Sequence, residues 1–375
     1  MRLPPEQNSF PDNLAGVGMN FRNSRFALSS GSAPGRPARD RSPGRCSRSR
    51  LVVLAFSLLG ILAPPLTASA QRAADAADPL AAVLEIKARV PRGARSASSL
   101  GPERQGSGTL IRDGYVLTIG YLVTEAESIE VTDSRGRTVQ ASVAGYDHAS
   151  GLGLLKLAEA VDAKPLALGD SAALADKQQL LAASGGGREG ANNIVYVVSR
   201  RPFTGAWEYM LDAAIYTYPP VDNWSGAALI SPRGQLIGVG SLLVPDAAKA
   251  GEHLPGNMFV PVHLIAPIVD ELIAQGRAPG AARPWLGLNT DELRGRLFIS
   301  RVSPGGPAEL AGLKSGDLVV ALGKEEPGSL AEFYRRLWLR GAAGVDVPLT
   351  VLQGAQLREI VVRSIDRDRY FRPAR

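Results

Sequence analysis

From Gly106 onward the chain alternates short apolar runs with turn residues. "GTLIRDGYVLTIG" sets two β-rich runs around Asp113-Gly114, the kind of dipeptide that two-residue hairpins favour. "SIEVTDSRGRTVQASVAGYD" repeats the device around Arg135-Gly136, and "GLGLLKLAEA", "QQLLAAS", "NNIVYVVSRR", "WEYMLDAAIYTY" and "GAALISPRGQLIGVGSLLV" follow at near-regular spacing. Many short strands parted by turn signals predict a mostly β barrel or sandwich rather than a βαβ sheet. "VHLIAPIVDELIAQG" (262–276) is predicted to be a helix with Leu264, Ile268 and Leu272 on one face, closing a unit over 106–276. "RAPGAARP" then breaks the pattern, giving a linker over 277–283. Residues 284–367 read strand, strand, short helix, strand, helix, strand, strand, an α+β pattern, with 368–375 as a tail. In the longer helix Leu330, Phe333, Tyr334 and Leu337 form one apolar stripe, facing either the core or a groove. Residues 71–105 mix a helix-like apolar run (Leu80 to Ile86) with an aperiodic Ser/Gly/Pro/Arg stretch, which predicts a surface segment.

Charge changes the picture only at the N-terminus. The net +6 would suggest nucleic acid or an anionic membrane as partner. Residues 1–50, however, hold nine Arg against Glu6, Asp12 and Asp40. Taking these nine and three from the total of 42 basic and 36 acidic residues leaves 33 of each, so the rest is balanced and no nucleic-acid partner is expected. The Arg-rich stretch, the apolar "LVVLAFSLLGILAPPL" (51–66) and Ala68-Ser69-Ala70 before Gln71 have the three parts of an export signal. Residues 1–70 are therefore expected to be a leader, removed between Ala70 and Gln71 to leave an exported, periplasmic or secreted protein. The alternative is an inner-membrane anchor formed by 51–66, but Pro64 and Pro65 cut the run short of the ~20 residues a span needs. Cys46, the sole cysteine, precedes that site, so neither a disulfide nor thiol chemistry is expected in the mature protein. No pair of His or Cys stands at ligand spacing, and no metal or cofactor is expected.

Several strings together resemble a known family. "GSGTLIRDGYVLT", "AGYDHASGLGLLKL", "PLALGDS", "NWSGAAL" and "GQLIGVGS", in that order, resemble the trypsin-like domain of HtrA (DegP/DegS-like) serine proteases. "RPWLGL", "ISRVSPGGPAELAGLKSGDLVVAL" and the helix at 329–340 resemble the PDZ domain that follows it. The resemblance covers roughly residues 106–367. It implies a double β-barrel with a catalytic triad between the barrels, then the PDZ fold. At the triad positions it implies Ser225 as nucleophile, but it puts Tyr121 in the His slot ("LTIGYLV") and Gly151 in the Asp slot ("GLGLLK"). The oxyanion glycine is replaced by Asn223, followed by bulky Trp224.

The chemistry turns on those replacements. A serine hydroxyl attacking an amide needs a neighbouring base to take its proton and return it to the leaving amine. A phenol, with a reference pKa of ~10, is protonated near pH 7 and cannot serve. Without a triad, oxyanion stabilisation and binding alone leave roughly 10³–10⁴ over water. His148 lies three residues before Gly151 and is the candidate substitute base, while His253 and His263 are expected in capping or surface roles. Ser225 then reads as a vestigial nucleophile, a small turn residue kept with the fold, and the protein as a pseudoprotease. A cleft with Tyr121, Trp224 and Trp207 is the candidate surface for an apolar segment, or these aromatics belong to the core.

The PDZ resemblance assigns Trp285, Leu286, Gly287 and Leu288 as the loop whose N–H groups receive a peptide's terminal carboxylate, the peptide adding as a strand beside the helix at 329–340. Two functions of different class follow. One is an inactive factor of envelope protein quality control that binds unfolded or C-terminal segments, modulates an active HtrA relative by mixed assembly, or forms a homo-oligomer. The other is a serine endopeptidase using Ser225 with a rearranged base.

Overall fold

The computed structural model describes residues 78–186 and 192–371; the leader, Cys46 and the Ala70-Gln71 site lie outside the described residues. Among the described residues no helix is long and apolar enough to cross a membrane.

Two closed six-stranded barrels come first. The first contains β1 (Val83–Arg89), β2 (Glu103–Arg112), β3 (Tyr115–Ile119), β4 (Ser128–Thr132), β5 (Thr138–Asp147) and β6 (Leu152–Leu157), paired in the order β1-β2-β3-β6-β5-β4. The second contains β7 (Gln179–Ala183), β8 (Asn192–Gly205), β9 (Tyr209–Tyr218), β10 (Ala228–Ile230), β11 (Leu236–Val244) and β12 (Gly256–Pro261), ordered β10-β11-β12-β9-β8-β7. Closure leaves no strand edge unpaired, so each barrel buries its inward side chains. Leu84, Ile86, Leu110, Leu117 and Leu154 fill the first, and Leu180, Val195, Ile215 and Phe259 the second. The Asp113-Gly114 turn joins β2 to β3 with Arg112 opposite Tyr115, as a two-residue hairpin requires.

Three expectations are corrected here. Residues 83–89 do not belong to a surface segment: they form β1, pairing with β2 on one side and β4 on the other, and five of the seven residues are buried. The apolar run is short and continuous, which fits a strand buried on both faces as well as a helix, and only the two partner strands decide between them. A one-turn helix, α1 (Ala97–Leu100), connects β1 to β2. The helix expected over 262–276 is instead two 3₁₀ turns, Val262–Leu264 and Ala266–Ile268, followed by α2 (Val269–Gln275). Pro267 supplies no N–H and keeps the backbone from running as one helix, so Leu264 is exposed while Leu272 is buried. The helix α2 returns to the first barrel, where the carbonyl of Gly276 accepts from Tyr146 N–H and Asp270 pairs with Arg112 at 2.5 Å. Finally, Trp207 and Glu208 leave the strand predicted for them and form the turn between β8 and β9.

The third unit is a five-stranded sheet in sequence order: β13 (Leu288–Leu293), β14 (Arg296–Val302), β15 (Leu318–Leu322), β16 (Asp346–Gln353) and β17 (Gln356–Arg363). Helix α3 (Pro307–Leu310) follows β14, and α4 (Leu330–Trp338) crosses between β15 and β16. Ser329 caps α4 by accepting from Glu332 N–H. The stripe Leu330, Phe333, Tyr334 and Leu337 is buried in the core of this unit, with the Tyr334 hydroxyl reaching out to the Gly205–Glu208 turn. Residues 368–371, expected in a tail, belong with Arg367 to a helix, α5 (Arg367–Phe371). It is docked: Tyr370 packs against Trp285 with ring centroids 4.7 Å apart, lies under the Arg95 guanidinium at 4.1 Å, and donates its hydroxyl to the Pro304 carbonyl.

Candidate active site and peptide-binding loop

Ser225 sits on the loop before β10, pressed against the first barrel. Its carbonyl accepts from Ser107 N–H at 2.8 Å. Gly226 follows with φ +72°, and a Cβ there would collide with the Ser107 carbonyl, so the turn that presents Ser225 requires glycine. Tyr121 lies on the 3₁₀ turn Gly120–Leu122 after β3, and a buried guanidinium holds this turn. Arg104 donates to the carbonyls of Tyr121 (2.7 Å) and Thr124 (2.9 Å) and to Ser96 Oγ (2.8 Å). Burial lowers its pKa to about 10.

The structure brings Tyr121 and Ser225 together. The phenol oxygen is 2.8 Å from Ser225 Oγ and 2.9 Å from the carbonyl of Ser241 on β11. A carbonyl only accepts, so the single phenol proton goes to Ser241 and the serine hydroxyl donates to the phenol oxygen. Burial raises the Tyr121 pKa above the ordinary phenol value, more than the bonds with Ser225 and Trp224 lower it. The serine proton thus points at a group that does not become a base near neutral pH.

Gly151 has φ +74°, and a Cβ there would lie 3.1 Å from the Tyr209 ring. The Tyr209 hydroxyl donates to the adjacent Ser150 carbonyl at 2.6 Å. Asn223 keeps a negative φ, and its carbonyl accepts from Ser184 Oγ at 2.7 Å. His148 Nε2 lies 2.8 Å from Asp368 Oδ1 on α5, and His263 Nδ1 lies 2.8 Å from Ser171 Oγ. His253 is exposed. Trp224 packs on the core of the second barrel, and Trp207 stacks on Tyr209 with centroids 5.8 Å apart.

The loop Trp285–Leu288 holds a partner that sequence reasoning missed. Glu208, 5% exposed, accepts through Oε1 from Gly287 N–H (2.7 Å), Leu288 N–H (2.8 Å) and Leu286 N–H (3.2 Å), and through Oε2 from Leu286 N–H (3.0 Å). Gly287 at φ +81° turns successive amides toward one point, a backbone nest suited to an anion. Burial raises the Glu208 pKa to about 7, these N–H bonds and the charge of Arg367 pulling the other way. Only the positive φ of Glu208, 54°, marks the position as unusual, and no sequence signal carries that.

Residues 106–239 match the trypsin-like peptidase domain family, and 298–353 match the PDZ domain family. A probable periplasmic serine protease do/HhoA-like of Haemophilus influenzae is 27% identical over 72% of this chain and 60% of its own length. The periplasmic pH-dependent serine endoprotease DegQ of Escherichia coli is 28% identical over 69% of this chain and 59% of its own. A probable periplasmic serine endoprotease DegP-like of Marinomonas is 29% identical, over 57% and 47%. The chain therefore spans about half to three-fifths of the length of the curated relatives it matches. Among solved structures, a serine endoprotease from Yersinia pestis aligns with 22% identity and a TM-score of 0.47, over 80% of this chain and 99% of that one.

Proposed function

We propose that this chain, a trypsin-like peptidase and PDZ domain protein with HtrA/DegP-type relatives, is an exported factor that binds protein segments and does not hydrolyse them. The observation that carries the reading is the Ser225–Tyr121–Ser241 hydrogen-bond relay, which leaves the serine hydroxyl donating to a phenol whose own proton is already committed. Amide hydrolysis needs a base beside the serine and a carboxylate that orients it, and a phenol and a glycine occupy those places. Asn223 at the oxyanion position, with its negative φ and tethered carbonyl, adds support.

Binding rests on the loop Trp285–Leu288, whose amides converge on one carboxylate. The ligands of this reading are unfolded segments and the carboxy-terminal ends of polypeptides, with an active relative of the same fold as a further partner. The Arg-rich leader and the apolar run at 51–66 support export, and the names of the relatives point to the periplasm.

The test is labelling of the purified protein with a fluorophosphonate serine probe beside Ser225→Ala, with casein cleavage in parallel. Folded protein is expected to take no label and leave casein intact. Labelling and cleavage that both vanish in Ser225→Ala would replace this reading with that of a serine endopeptidase.

A further inference from the structure

The carboxylate loop is filled by the protein's own β8–β9 turn. One carboxylate collects N–H groups from three successive residues, 286, 287 and 288, as a peptide's terminal carboxylate would. The backbone beside it also behaves as a ligand. Strand β13 is the outer strand of its sheet, and Thr290 N–H on that strand donates to the Ala206 carbonyl at 2.8 Å, the bond a peptide adding to a sheet edge would accept. From the other wall, Tyr334 on α4 accepts from Glu208 N–H at 3.0 Å and places its hydroxyl 3.0 and 2.9 Å from the Gly205 and Ala206 carbonyls. Met210, 9% exposed, is buried in the apolar cluster that includes Leu286, Leu288 and Phe333. Turn backbone, carboxylate and apolar side chain together occupy edge strand, nest and hydrophobic cluster.

A non-glycine residue at φ 54° is held in a sparsely populated region, which surroundings must over-determine. Here they do, through four N–H contacts to the side chain and one from the residue's own N–H. A cavity of about 260 Å³, lined by Glu208, Met210, Trp285, Trp338 and Arg367 among others, lies against the same turn and gives an arriving segment room to enter.

We infer that the turn Gly205–Glu208 is a built-in ligand of the PDZ loop, and that the groove takes a free-carboxylate peptide end with a flexible apolar last residue only by displacing it. The inference rests on the peptide-binding reading above and specifies its ligand and its regulation.

The experiment uses the full protein and a pool of fluorescent decapeptides with free C-terminal carboxylates ending in Met, with the C-terminal amides as control. Hydrogen exchange over 285–288 is followed by mass spectrometry in the wild type, Glu208→Ala and Glu208→Gln. Loss of protection at 285–288 in Glu208→Ala, with free-acid peptides binding that variant at least about tenfold tighter than the wild type and the amides binding neither, is the expected result. In the wild type, saturating peptide should raise exchange over 205–210, a readout that needs no variant to fold. Equal exchange at 285–288 and equal peptide affinity in wild type and variants would overturn the built-in ligand while leaving peptide binding intact. Exposed amides with no peptide bound by any form would overturn the peptide-end assignment and the peptide-binding reading together.

Discussion

On the reading proposed above, placing His at 121 and Asp at 151, Tyr121→His with Gly151→Asp, is expected to yield a destabilised protein without peptidase activity. Gly151 is at φ +74°, where an L-residue with a Cβ costs about 1–2 kcal/mol. The new Cβ would lie 3.1 Å from Tyr209 Cε2 and 3.4 Å from its hydroxyl, so the ring must shift. A shift of a few tenths of an ångström strains the 2.6 Å bond from Tyr209 to the Ser150 carbonyl without severing it, and only a carboxyl that displaces the hydroxyl adds the cost of an unpaired buried acceptor, about 1–3 kcal/mol. The backbone term alone gives about 1–2 kcal/mol, several degrees in Tm for a protein of this size. The imidazole at 121 would also inherit a site in which the Ser241 carbonyl, 2.9 Å from the phenol oxygen, competes for its N–H. The assay is thermal denaturation of wild type and double variant, with fluorophosphonate labelling and turnover of a fluorogenic peptide. A double variant that melts with the wild type and takes the label would refute the argument that Tyr209 crowds a side chain at 151.

Tyr334→Phe removes the acceptor of Glu208 N–H and the donor to the Gly205 and Ala206 carbonyls, and should cost about 1–3 kcal/mol in denaturant unfolding; an unchanged midpoint would show that the hydroxyl does not clamp the turn. Docking of Glu208 should also depend on pH. Its pKa rises from 4.5 to about 7 on burial, so the docked state holds the proton more tightly than the released state. That contribution is fully present below 4.5 and is lost as pH rises through about 7, a change of about 3 kcal/mol. Three of the four N–H contacts fall on Oε1, so a proton on Oε2 leaves them in place. The groups around Glu208 are Tyr334 on α4, Arg367 and Asp368 on α5, Tyr209 on the hairpin and His148 across the cavity. Exchange at 285–288, corrected for intrinsic rate, should therefore be slower at pH 5.5 than at pH 8, and the reverse order would contradict this. Arg104→Met strands the Tyr121 and Thr124 carbonyls and should lower stability by about 3 kcal/mol, read by calorimetry; a neutral result would remove Arg104 as the support of the Tyr121 turn.

Features that depend on neighbours along the backbone were legible in the residues alone. Hairpins at Asp113-Gly114 and Arg135-Gly136, the strand–helix order of 284–367 and the apolar stripe on α4 follow from local periodicity and turn chemistry, whereas the burial of that stripe was decided by the fold. Tyr121 and Gly151 stand out in the sequence only through the family resemblance of the strings around them. Features that depend on distant partners emerged only with the fold. Val83–Arg89 became a strand because β2 and β4 flank it, and Arg367–Phe371 became a docked helix because Trp285 and Arg95 receive Tyr370. The bond between Tyr121 and Ser225 joins residues 104 apart, and the carboxylate of Glu208 reaches amides 78 to 80 residues away. A glutamate at a hairpin tip carries no local mark of such a role, because the energy that buries its charge comes from amides that only the fold brings to it.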